Sequence, residues 1–376
     1  MAVDIFLFNK MNYLNISVAF NFPWLMVLLF GMLDISTYTK NISTETIHAC
    51  AVAIFSFSIF SYGKNIGNSI SITKEVISKQ WMSLLLFIFL LFSAFNIISA
   101  GYIPFVRMVL TGDSGYKDFG ISGIYGLFLA FSNALGLVYI YFYFKTKNKK
   151  ALIGYVTIML VFALFVTRQN IISLGVETFF IYSIMRGRVS FVKILILSVT
   201  VLFLFSIIGG MRSGDIKEIA SIRRDFMWIP SAFIWLYSYC YFNILNLDNL
   251  VSYPGVPVYD LSSLSGFIPS FIRPDGKSVY ILEVSNFNVS SYLSSLYKDM
   301  GHMWILVFTI TMAIVSKSRV NKFLENANFK NISIAAVLYF CALFSFFVNF
   351  WTYLPVIFQI FFILIFDKYT IKNEER

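Results

Sequence analysis

Apolar residues run through this chain in unbroken stretches and do not alternate with polar ones. Ten such stretches, at 13–33, 46–62, 81–99, 121–144, 151–167, 170–185, 191–209, 300–316, 332–350 and 353–366, read as membrane crossings, for which about 20 residues suffice as a helix. Only helices and closed barrels satisfy their backbone polar groups in lipid. Barrel strands alternate lipid-facing and lumen-facing residues, so continuous runs predict helices. The first stretch is expected to remain as a helix, because no small-residue cleavage site follows it and further spans do. Residues 210–298 are read as one large loop on the outer side. It holds one further apolar segment, 227–247, and then a run at 253–274 punctuated by Pro and Gly.

Composition agrees with the pattern. The chain is 58% apolar and 13% charged, against about 25% charged in soluble domains. Soluble, disordered, collagenous and coiled-coil classes are excluded. The expected fold is all-α, a single polytopic integral membrane domain over 1–376 with about 10 to 12 transmembrane helices. Cys50, Cys240 and Cys341 are scattered, fit no disulfide framework or metal spacing, and read as small buried hydrophobes.

Lys and Arg are retained in short cytoplasmic loops. The connections 63–80, 145–150, 186–193 and 317–330 are all basic, and an even number of spans separates each from the next, so one topology satisfies all four with both termini cytoplasmic. That parity forbids a single crossing by 227–247, which leaves a re-entrant helix, an interfacial helix, or half of a pair. The cytoplasmic side then gathers 14 Lys and 4 Arg against 6 acids, and the outer side 5 Lys and 6 Arg against 12 acids. Insertion and anionic lipid explain the net charge of +10 without a nucleic-acid partner.

The outer arginines are Arg107, Arg168, Arg212, Arg223, Arg224 and Arg273. Arg is a planar fork that binds phosphate or carboxylate in a bidentate manner, so their excess over Lys suggests a phosphate or acidic-sugar ligand, with acids or lipid headgroups as the competing partners. Arg168 stands in a turn too short to carry its charge far from the membrane, where an unused charge is costly. Arg212 follows Gly209 and Gly210, which let backbone approach a ligand closely. Arg223 and Arg224 lie in an amphipathic stretch. Asp299 and His302 share one face of a continuous helix, either as an acid–base pair or as a cap with a polar rim residue. Glu177 is isolated deep in a span and argues against ion coupling. Neither an Asp-x-Asp pair nor a Walker loop, a dinucleotide glycine fingerprint or a Gly-x-Ser-x-Gly elbow is present, and no metal or cofactor is expected.

Four places resemble the oligosaccharide repeat-unit polymerases of surface polysaccharide synthesis, the Wzy-type O-antigen polymerases. They are Thr167-Arg168, the Gly209 to Ser213 exit, the Pro-containing 264–274, and Phe287-Asn288-Val289-Ser290-Ser291-Tyr292 followed by Tyr297-Lys298-Asp299-Met300-Gly301. Met300 and Trp304 depart from that family's pattern. The resemblance implies a membrane-embedded glycosyltransferase of the polyprenol-phosphate-using architecture in the bacterial inner membrane, without a metal. It implies transfer of a growing glycan from undecaprenyl diphosphate to a lipid-linked repeat unit on the periplasmic side. Arg168 and Arg212 would meet the leaving diphosphate, and Asp299 or His302 would deprotonate the acceptor. Arg223, Arg224, Arg273 and Lys298 would bind the second lipid or its glycan. Its partners would be undecaprenyl diphosphate-linked oligosaccharides and membrane lipids, with a chain-length regulator left open. The rival readings are a flippase for lipid-linked oligosaccharides, which usually has two similar halves, and an O-antigen ligase, which would use His302.

Overall fold

The computed structural model describes residues 13–63, 72–73, 75–116, 118–186, 198–199, 202–203, 206–207, 209–210, 214–269, 272–273, 282, 284, 287 and 290–373. The helices are α1 (Ile16–Gly31), α2 (Thr44–Ser61), α3 (Lys79–Ala100), α4 (Pro104–Thr111), α5 (Ile124–Thr146), α6 (Lys149–Leu164), α7 (Arg168–Arg186), α8 (Ser231–Val251), α9 (Tyr292–Glu325), α10 (Phe329–Leu343) and α11 (Leu354–Thr370). Nine of them occupy nine of the ten apolar stretches; the tenth, 191–209, lies mostly outside the described residues. Strand β1 (Glu75–Ile77) pairs antiparallel with β2 (Ile371–Asn373). Polar caps start several helices. The side chains of Asn15, Ser43, Asn148 and Asn328 each accept a backbone N–H of the first turn, which satisfies one of the donors left open at a helix start.

Among the described residues, four helices are long and apolar enough to cross a membrane, α2, α3 from Gln80, α5 and α9. On α3, Phe87, Leu91, Phe95 and Ile98 form an exposed apolar stripe, and Ile98 is 79% exposed. A water-soluble monomer does not leave so large a contiguous apolar face uncovered, whereas a helix facing lipid does. The fold is therefore that of a helical, membrane-embedded protein.

Two faces are distinct. Lys145 Nζ donates to the Thr73 carbonyl at 3.0 Å and Thr73 N–H to the Ala327 carbonyl at 3.3 Å. The Glu75 carboxylate accepts from Phe329 N–H at 3.0 Å, and Lys330 pairs with Asp367 at 3.3 Å. The basic connections around 73, 145 and 327 and the strand at 371–373 thus share one end of the bundle. At the other end, residues 34–45, 214–230, 248–263 and 297–304 come together. Helix α8 lies across that end: Tyr237, Tyr241 and Asp248 cover about 16 Å of helix, yet bond Leu33, Tyr38, Lys40, Ser43 and Thr46, all between the exit of α1 and the entry of α2.

Helix α9 is not one rod. Met300 (φ −142°) and Gly301 (φ 65°, ψ −149°) leave helical geometry. On a straight helix Tyr292 and Thr309 would stand about 25 Å apart, but their hydroxyls are 2.8 Å apart and the Tyr292 ring lies 6.4 Å from that of Phe308. Residues 292–299 fold back along 302–309, leaving 302–325 as the crossing length. The buried start of this hairpin bonds a second break: Tyr292 N–H donates to the Ser345 carbonyl at 3.0 Å, just past the end of α10. Irregular backbone at that depth is stable because it is bonded inside protein and kept from lipid.

Candidate functional site

The hairpin turn of α9 builds the site. Gly301 occupies a backbone region that is essentially open to Gly alone, and the turn it makes moves Asp299 and His302 off the common face that a continuous helix would give them. The expected Asp299–His302 pair is therefore not formed. Asp299 is fully buried and accepts from Ser262 Oγ at 2.7 Å and Ser263 N–H at 2.8 Å, while its carbonyl accepts from Tyr259 N–H at 2.8 Å. It caps the short 3₁₀ helix Ser262–Phe267 and not the helix that follows it in sequence. Burial, with the adjoining Asp260 carboxyl, pushes Asp299 above the usual carboxylate range, while Asp299 and the Ser262 N–H and hydroxyl beside it hold Asp260 below that range. Lys298 Nζ donates to Ser262 Oγ at 3.2 Å, and Trp304 Nε1 to Ser263 Oγ at 3.0 Å.

His302 turns instead to Glu45, on the first turn of α2. Its Nδ1 lies 3.7 Å from Glu45 Oε1, Tyr297 Oη donates to the same oxygen at 3.4 Å, and the Tyr297 ring stands edge-on to the imidazole at 5.3 Å. His302 Nε2 is shielded from solvent and has no hydrogen-bond partner among the described residues. At 3.7 Å the Glu45 contact exceeds hydrogen-bond length, so the pair is an ion-pair contact when the imidazole is protonated. Nothing local in the sequence marks Glu45, an acid at the start of an apolar helix that reads as a dipole partner.

The other end of the site is the turn between α6 and α7. Val166 has φ 57°, a conformation a β-branched residue adopts only under constraint from its surroundings. The next residues are Thr167, whose N–H and hydroxyl both donate to the Phe162 carbonyl at 3.0 and 3.1 Å, and Arg168, half-buried, which opens α7 and so meets the positive end of that helix. Gln169 hydrogen-bonds Tyr353, and the Arg273 charge acts on the same phenol. Arg273 is anchored by two bonds to the Ile268 carbonyl, 2.9 Å from Nη2 and 3.3 Å from Nε.

The stretch from Val258 to Arg273 joins the two ends. It is clamped by Asp299 at one side, and at the other a Cβ on Gly266 would lie 2.4 Å from the Thr352 carbonyl oxygen, so the backbones touch between Ser262–Phe267 and Phe350–Thr352. Arg223 and Arg224 are not brought in: Arg223 pairs with Asp34 and donates to the Ser36 carbonyl at 3.3 Å, and Arg224 is exposed beside it. Arg212 lies outside the described residues. Glu177, in the core, accepts from Gln359 Nε2 at 2.8 Å. Among the described residues no three His, Cys, Asp or Glu gather as metal ligands. Comparisons of this chain with protein-family models, with curated proteins and with solved structures return no match.

Proposed function

We propose that this protein is a membrane-embedded glycosyltransferase that elongates a surface polysaccharide, moving the growing glycan from undecaprenyl diphosphate to a lipid-linked oligosaccharide repeat unit. The observation that supports the reading is the segment 258–273, which is bonded to Lys298, Asp299 and Trp304 on one side and carries the anchored Arg273 on the other. The reaction needs both ends. The acceptor hydroxyl oxygen attacks the anomeric carbon, the bond from that carbon to the diphosphate breaks with its electron pair on the departing oxygen, and the hydroxyl proton passes to a base. Preformed cations facing the departing diphosphate lower that barrier.

His302 is the base in this scheme. Asp299 anchors the loop, since each of its carboxylate oxygens accepts a bond from it. Arg168, at the N-terminus of α7, and Arg212, in the exit after Gly210, meet the leaving diphosphate; Arg273 and Lys298 hold the second lipid or its glycan. The basic end of the bundle faces the cytoplasm with both termini, and the site opens on the periplasmic side of the bacterial inner membrane in a bundle of about 10 to 12 crossings. A chain-length regulator is a further partner in this reading.

Deletion of the gene in its native host, followed by electrophoresis of the extracted surface glycolipid, tests the proposal. The expected result is loss of the ladder with a single repeat unit still on the core. The His302–Glu45 pair also suits a ligase; a core carrying no repeat unit at all would favour that enzyme or a flippase. An unchanged ladder would remove the protein from the pathway.

A further inference from the structure

Helix α3 starts at Lys79 beside β1, at the basic end of the bundle, and its 22 residues cover about 33 Å. Gly101 and helix α4 after it therefore lie at the end that carries the site. Between the last turn of α3 and α4 opens a groove of about 470 Å³, within the roughly 300–1,000 Å³ of small-molecule sites. Its walls include Ile97, Ile103, Val106 and Leu110, and Arg107 stands among them. We infer that this groove seats the first isoprene units of a polyprenyl diphosphate-linked substrate, with Arg107 on the diphosphate. This inference rests on the transferase reading and adds to it a site for the lipid chain.

Charge, access and position favour that occupant. The Arg107 guanidinium lies 4.7 Å over the Tyr102 ring, a cation–π contact, and Tyr102 Oη donates to the Gly115 carbonyl at 2.8 Å. Gly115 has φ 57°, and a Cβ there would lie 2.7 Å from Arg107 Nη1, so a side chain at this position would push the guanidinium aside. The fork is thus held in place on an otherwise apolar groove. Its partner Asp113, at 3.1 Å, is exposed, and exposed pairs of that kind add little to stability. A diphosphate offers more charge and the same bidentate geometry, and displaces that carboxylate. Access comes from the bilayer: Phe95 and Ile98, in the same turn as Ile97, belong to the exposed stripe of α3, and Leu110 is exposed as well. From the groove, Tyr102 packs on Phe119 at 5.9 Å and Phe119 on Phe165 at 4.7 Å. Phe165 stands in the turn that leads to Arg168, so the groove adjoins the cation assigned to the leaving diphosphate. Apolar walls suit any acyl chain; Arg107 and the neighbouring Arg168 favour a lipid that carries a diphosphate.

The test is binding of undecaprenyl diphosphate to the full chain in phosphatidylcholine nanodiscs, with undecaprenol as a second probe and phosphatidylglycerol as competitor. Arg107→Ala, and Val106→Trp, which fills the groove and keeps the charge, should each raise the Kd for undecaprenyl diphosphate at least about 10-fold, with the thermal unfolding transition unmoved. Undecaprenol, which lacks the diphosphate, should bind the Arg107→Ala and unmodified chains alike and lose affinity for Val106→Trp. Phosphatidylglycerol at equal concentration should not displace undecaprenyl diphosphate. Tight binding that either variant leaves unchanged, or displacement by phosphatidylglycerol, overturns the inference and leaves the transferase reading standing. An unmodified chain that binds no undecaprenyl diphosphate overturns both.

Discussion

Arg168 and Asp299 show how differently two charged residues at one membrane end are used. Arg168 opens a helix beside a strained Val166, and the diphosphate role makes a sharp prediction. Arg168→Ala and Arg212→Ala should each lower elongation about 10²-fold to 10³-fold, the cost of removing one preformed stabiliser of developing charge, with the protein still in the membrane. Long polymer from both variants would sink the leaving-group assignment. Asp299 is bound up in the fold. Asp299→Asn replaces one acceptor oxygen by a donor at a site where Ser262 Oγ and Ser263 N–H already donate, so a loss of about 1–3 kcal/mol is expected. Thermal unfolding in detergent measures it; an unshifted transition with elongation abolished would return Asp299 to the chemistry.

Between helices, close packing depends on where side chains are missing. A Cβ on Gly154 of α6 would lie 2.3 Å from the Tyr139 ring of α5, whereas one on Gly126 of α5 would meet nothing within 4 Å. Tyr139 cannot swing away freely, because its hydroxyl donates to the Met82 carbonyl of α3 at 2.7 Å and so ties three helices together. Gly154→Ala should therefore destabilise the protein by about 1–3 kcal/mol, as overpacking does, while Gly126→Ala should be tolerated. Equal melting temperatures for the two variants would contradict this account of the α5–α6 contact. The hairpin in α9 belongs to the same scale, since one glycine decides which residues a helix can present.

Across the whole molecule, the excess of basic over acidic residues gathers at one end under the topology read from the sequence. Lys150, exposed at the start of α6, belongs to the basic end, and Tyr259, 77% exposed, to the end that carries the site. The three natural cysteines are buried, so single added thiols report cleanly. Lys150→Cys should react with a membrane-impermeant maleimide only after the cytoplasmic side is opened, and Tyr259→Cys in intact cells. Labelling of both from one side would break the proposed topology.

Much of this was legible in the residues before any folding was considered. Continuous apolar runs set the helices, because satisfying a backbone in lipid is a local demand that each segment meets by itself, and nine helices fall where those runs lie. The position of Arg168 at the turn that opens α7 was legible in the same way, because the apolar runs on either side bound that turn. Tertiary structure alone decided the rest. The 3.6-residue period places Asp299 and His302 on one face only if the helix is continuous, and Gly301 ends that continuity. His302 then meets Glu45, a residue some 250 positions earlier, and Asp299 meets Ser262, Ser263 and Asp260. Pairing of this kind depends on which segments a bundle brings side by side, and no local spacing encodes it.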